Sequence, residues 1–202
     1  IVDAMSSFGA VDVNVSELGI DFLISSANKC IQGVPGFSFI VARREALTAT
    51  EGNARTISLD LHSQWKTMEK DNGKWRFTSP THVVAAFAQA LKELQQEGGV
   101  TVRGERYATT NRKLREGMRT LGFEPFVSEA FQGPIITTFL YPEGRNLDFK
   151  HMHHWLKEQG YVIYPGKLTD RDTFRIGNIG EIYDADADRI LELFAQYTKE
   201  FM

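Results

Sequence analysis

A chain of 202 residues with 42% hydrophobic content and 17 glycines is enough material for one large or two small globular domains. A formal net charge of −3 and a pI near 6.0 argue against a general nucleic-acid binder, which carries a basic surplus or stripe. One cysteine excludes an internal disulfide and fits a reducing cytoplasm, no apolar run reaches the ~20 residues that span a bilayer, and the first residues lack the basic start and apolar stretch of a signal peptide, so none is expected.

The chain begins Ile1-Val2-Asp3, a strand end with two β-branched residues, so it reads as the later part of a longer protein. A loop from Ala4 to Gly9 and a turn or short helical piece over Val13–Gly19 lead to a second, buried strand, Asp21 to Ser25. A crossover of this length joins parallel strands, placing Asp3 and Lys29 at one edge of the sheet. After Ser25-Ser26-Ala27-Asn28-Lys29-Cys30 comes turn chemistry, Gly33-Val34-Pro35-Gly36, and a third strand to Ala42. Arg43–Leu47 starts a helix or turn, and residues 49 to 74 read as a long polar, irregular loop.

Thr78 or Ser79 is expected to cap a helix, with Pro80 in its first turn and Val83, Val84, Phe87, Ala90, Leu91 and Leu94 at helical spacing. That helix ends near Gly98-Gly99, and a second with a strongly charged face covers about residues 100 to 120. Past Pro125 the pattern becomes a small α+β domain. Its expected strands are Ile135–Leu140, Tyr161–Tyr164 and Thr173–Ile176, and its helices Asp148–Gln159 and Asp184–Phe201. The domain boundary falls between residues 98 and 99.

A lysine just past a strand end is ordinarily solvated, and one near a carboxylate can be a plain ion pair. The sharper reading asks for a cofactor that needs both Lys29 and Asp3. Pyridoxal phosphate does: a lysine amine binds it covalently and a carboxylate keeps its pyridine nitrogen protonated. Its phosphate needs hydroxyl and backbone donors, for which Ser26 and Thr78 are candidates.

These segments resemble a known family. Asp3-Ala4-Met5-Ser6-Ser7-Phe8-Gly9 and Ser25 through Phe37 are similar to the class V, fold-type I pyridoxal-phosphate aminotransferases. The likeness continues through Phe77-Thr78-Ser79-Pro80-Thr81-His82 and Phe174-Arg175-Ile176-Gly177-Asn178-Ile179-Gly180. It implies an α/β fold: the back part of the large domain, with a mainly parallel sheet, followed by the small C-terminal α+β domain. It implies that Lys29 holds the cofactor and moves the catalytic proton, which an amine does only while neutral. Asp3 would pair with the pyridine nitrogen, Ser26 with the phosphate, and Asn28 with the ring substituents. Thr78 would reach the phosphate from the neighbouring subunit of a homodimer. Arg175, a charge inside an apolar strand, would hold the substrate anion rather than an internal Asp or Glu. The activity implied is transfer of the amino group of 2-aminoethylphosphonate to pyruvate, giving phosphonoacetaldehyde and L-alanine. Alternatives are another class V activity of the alanine–glyoxylate type, or a non-catalytic fragment. In the family, the glycine-rich phosphate loop and the ring-stacking aromatic precede the position of Asp3.

Other candidates are weaker. His151 and His154 share a helix face but lack further metal ligands, so no metal is expected. Cys30 reads as a buried small residue, His82 as structural or at an interface, and Arg103 to Arg119 as a solvated or dimer-facing surface.

Overall fold

The computed structural model of the chain describes residues 1–166, 168 and 170–202. They form two compact units, Ile1–Glu97 and Gly98–Met202.

The first unit holds a three-stranded sheet in the order β1 (Val2–Asp3), β2 (Phe22–Ser26), β3 (Ser38–Ala42). β1 and β2 run parallel with Asp3 opposite Ile24, because the segment between them is long enough to carry the chain back to the same end. β2 and β3 run antiparallel with Ser26 opposite Ser38. The link between them is a compact turn, closed by the Gly33 N–H on the Ala27 carbonyl at 2.9 Å, and it has no room for a crossover helix. The sheet is therefore mixed in this stretch. α3 (Thr81–Glu97) covers β3 through Phe87, which packs edge-on against Phe37 at 5.2 Å and tilted against Phe39 at 5.5 Å.

Two expectations for this unit are corrected. Residues 49–74 are not an irregular loop throughout: beyond α1 (Arg44–Thr48) they contain α2 (Leu61–Lys70). The Asp60 carboxylate caps α2 by accepting from the Ser63 N–H at 2.9 Å, and Asn72 and Gly73 adopt positive φ just beyond its end. Pro80 does not sit in the first turn of α3. It precedes Thr81, and its carbonyl accepts from the Val84 N–H. The Ser79 hydroxyl meets the Thr81 hydroxyl at 3.3 Å instead of capping an amide.

The second unit is α+β. An antiparallel sheet in the order β4 (Ile136–Leu140), β6 (Thr173–Gly177), β5 (Tyr164–Pro165) packs with α4 (Gly99–Thr120), α5 (Phe149–Glu158) and α6 (Asp184–Phe201). Phe174 is the centre of the core: it stacks on Phe139 at 5.6 Å and Phe194 at 5.9 Å and meets Phe123 edge-on at 5.5 Å. Asp148 caps α5 by accepting from Lys150 and His151, and Gly160, at φ 90°, ends it. The strand expected over Tyr161–Tyr164 is only Tyr164–Pro165, since pairing begins where the chain reaches Arg175.

The charged helix α4 is also corrected. Arg103 and Arg115 are buried rather than solvated. Arg115 is held by the Asn111 side-chain oxygen at 2.9 Å and by an ion pair with Glu129. Among the described residues no helix is long and apolar enough to cross a membrane.

Candidate active site

Parallel pairing of β1 and β2 brings their carboxyl ends together, the edge at which open α/β sheets bind ligands. Asp3 ends β1, and its Oδ1 accepts the Met5 N–H at 2.9 Å, which fixes the carboxylate; Oδ2 has no hydrogen bond among the described residues. Ala4 is tied to β2 by its N–H on the Ile24 carbonyl at 2.8 Å, so Asp3 and the β2 exit form one rigid edge.

Ser26 ends β2. Its Oγ is buried and has no hydrogen-bond partner among the described residues. A buried hydroxyl left unpaired costs about 1–3 kcal/mol unless a water or a ligand pairs with it. The half-buried Asn28 and the exposed Lys29 follow on the turn. The Lys29 side chain has no hydrogen bond or ion pair among the described residues, so the plain Asp3–Lys29 ion pair is not formed.

The turn that presents Lys29 is tightly specified. The Gln32 N–H closes it on the Lys29 carbonyl at 2.8 Å, with Gln32 at φ 64°. A Cβ on Gly33 would lie 2.6 Å from the Ala27 carbonyl oxygen, so only glycine lets the chain pass there. Cys30 is fully buried beneath, its Sγ 3.6 Å from the Ser6 carbonyl.

Thr78 is exposed and shares no hydrogen bond with the Lys29 turn. The segment carrying it is anchored by Arg76, whose backbone N–H reaches Gln64 Oε1 at 3.3 Å and whose guanidinium reaches the Ile57 carbonyl at 2.8 Å.

Arg175 belongs to the second unit, on the central strand β6. Its Nε donates to the Pro165 carbonyl at 3.0 Å, and no carboxylate pairs with it among the described residues. The internal ion pair is thus absent and the rest of the guanidinium fork is available to an anion.

Asn178, inside the motif that carries Arg175, received no role from the sequence. It is fully buried; its Nδ2 donates to the Tyr107 and Pro134 carbonyls, each at 3.0 Å, and its Oδ1 accepts from Asn111 Nδ2 at 3.1 Å. Asn111 also donates to Thr137 Oγ1 at 3.0 Å, so these amides lock β6 to α4 and β4. The available signal was an asparagine in mid-helix, four residues before Arg115. The histidines of α5 are otherwise engaged: His151 Nδ1 lies 2.8 Å from the Tyr197 hydroxyl, and His154 Nε2 lies 3.2 Å from Glu158.

Comparison with known proteins matches residues 1–171 to the aminotransferase class-V family. A 2-aminoethylphosphonate–pyruvate transaminase of Bacteroides fragilis is 62% identical over 193 residues, covering 96% of this chain and 53% of the relative. One from Bacillus cereus is 57% identical over 196 residues, covering 97% and 53%. The chain spans about half the length of the curated relatives it matches. A pyridoxal-phosphate-bound phosphoserine aminotransferase of Trichomonas vaginalis superposes with a TM-score of 0.79 over 96% of this chain and 52% of that one, at 17% identity, a likeness of fold.

Proposed function

From a chain that belongs to the aminotransferase class-V family, we propose the cofactor-holding and substrate-holding residues of a pyridoxal-phosphate enzyme that moves the amino group of 2-aminoethylphosphonate to pyruvate. The products are phosphonoacetaldehyde and L-alanine. The observation that carries the proposal is Ser26 Oγ, buried and unpaired beside a lysine without a partner, at the sheet edge where Asp3 ends. A phosphate oxygen gives that hydroxyl the acceptor it lacks.

When bound, the cofactor supplies an electron sink for the carbon that bears the amine. Asp3 accepts the pyridine N–H and maintains its charge. Ser26 donates to the phosphate, Asn28 flanks the ring substituents, and Thr78 of a second copy donates to the same phosphate in a homodimer. Lys29 would hold the cofactor through its amine; it would take the proton from the amine-bearing carbon of the donor in one half-reaction and supply a proton to the corresponding carbon of the acceptor in the other. Arg175 grips the anion of each substrate, phosphonate in one half-reaction and carboxylate in the other. Residues 1–98 form the rear of the cofactor domain and 99–202 the small domain, in a cytoplasmic enzyme.

Donor competition tests the substrate assignment. The whole protein should consume 2-aminoethylphosphonate with pyruvate at a kcat/KM at least about a hundredfold above that for alanine with glyoxylate, about 2.7 kcal/mol from recognition of a distinct charged group. Preference for alanine and glyoxylate would give the site to an alanine–glyoxylate type activity. A protein that neither turns yellow with pyridoxal phosphate nor turns over any donor would be the non-catalytic fragment.

A further inference from the structure

Arg175 is held from two sides by the segment Tyr164, Pro165 and Gly166, which runs alongside β6. Tyr164 lies opposite it in the β5–β6 register, with the guanidinium carbon 5.8 Å from the ring centre, and Pro165 accepts its Nε–H at 3.0 Å. Tyr164 is 53% exposed, so its ring lies by the cation without belonging to the core. Gly166 draws the segment close: its N–H donates to the Thr173 carbonyl at 2.8 Å, and a Cβ there would fall 2.3 Å from that oxygen.

We infer that Tyr164, Pro165 and Gly166 form a clamp that presents Arg175 to the substrate anion end-on, through Nη1 and Nη2. This rests on Arg175 being the substrate anchor proposed above. A guanidinium can bind an anion side-on, through Nε and one Nη, or end-on, through both Nη groups. With Nε bound to a main-chain carbonyl, the side-on mode is closed. The aromatic face then limits swinging of the planar fork, so less rotamer freedom is lost on binding. An end-on fork spans two oxygens of a tetrahedral phosphonate or of a planar carboxylate, so one clamp serves both substrates. Tyr164 and Gly166 are positioning residues, acting through Arg175.

Because the anion stays bound from ground state to transition state, loosening the clamp should appear in KM and not in kcat. In the whole enzyme, Tyr164→Leu should raise KM for 2-aminoethylphosphonate and for pyruvate together, about three- to fivefold each, the range of an exposed cation–π contact. Tyr164→Phe, which keeps the ring face, should restore both, and the absorbance of bound pyridoxal phosphate should be the same in all three proteins. Gly166→Ala should raise both KM values further; if it does not fold, the Tyr164 pair still decides. Unchanged KM values in Tyr164→Leu, with raised values in an Arg175→Ala control, would overturn the clamp and leave the anchor standing. Equal rises in the Leu and Phe variants would also overturn it. Unchanged KM values in Arg175→Ala would overturn the anchor and the clamp together.

Discussion

Ser26 is the residue whose energetics depend most directly on a ligand. In the protein alone its Oγ is desolvated and unpaired; facing a phosphate it gains a charge-assisted hydrogen bond. The two states therefore respond to the same mutation with opposite signs. Ser26→Ala should stabilise the cofactor-free protein by about 1 kcal/mol, the usual relief on removing an unsatisfied buried group, and weaken pyridoxal-phosphate binding about tenfold. A thermal melt of the cofactor-free protein and a fluorescence titration with the cofactor check the two halves. A stability loss, or unchanged affinity, contradicts the assignment of Ser26. Lys29 and Arg175 likewise have no carboxylate partner among the described residues.

At the scale of elements, the turn after β2 decides where Lys29 points. Gly33→Ala puts a methyl 2.6 Å from the Ala27 carbonyl, so the backbone must shift. A destabilisation of about 1–3 kcal/mol follows from such overpacking, measurable by denaturant titration. A neutral Gly33→Ala would show that the turn tolerates movement and does not fix Lys29. Much of this arrangement was legible in the sequence, because short apolar runs bounded by Gly and Pro gave β2 and β3 their positions and Asp3 and Lys29 their shared edge. α6 was legible to its ends, and α5 nearly so, since Asp148 and Gly160 carry cap and stop chemistry. α2 was less legible: Leu61, Trp65 and Met68 keep helical spacing behind the Asp60 cap, but they are three apolar residues in an otherwise polar stretch. β5 was misplaced because its pairing depends on β6 and not on its own residues. For the site, the sequence supplied the residue types. Which of two states Arg175 adopts, ion-paired inside or open to an anion, depends on what the fold brings beside it.

At the scale of the whole molecule, the second unit titrates in a way that can be followed. The Arg115 hydrogen bond, aided by Arg119, holds the Glu129 carboxyl below its ordinary range. A group lowered in this way stabilises the fold above its unfolded pKa and loses that contribution as pH falls through the lowered value. Tyr197 shifts the other way: burial, then the Asp148 carboxylate, raises its phenol. Its contribution is full below the unfolded pKa of about 10 and is lost as pH rises through the raised value. Melting temperature against pH should therefore fall at both extremes, with Glu129→Gln flattening the acid limb and Tyr197→Phe the alkaline limb. Limbs that are unchanged in these variants would assign the titration to other groups.

The central claim, that Lys29 is the residue that holds pyridoxal phosphate, is tested most directly by borohydride reduction of the cofactor-loaded whole protein followed by peptide mass mapping. The reduced cofactor should be found on the peptide containing Lys29, and Lys29→Ala should carry no label and show no steady-state transamination. A label on a different lysine, or turnover retained by Lys29→Ala, would contradict the account.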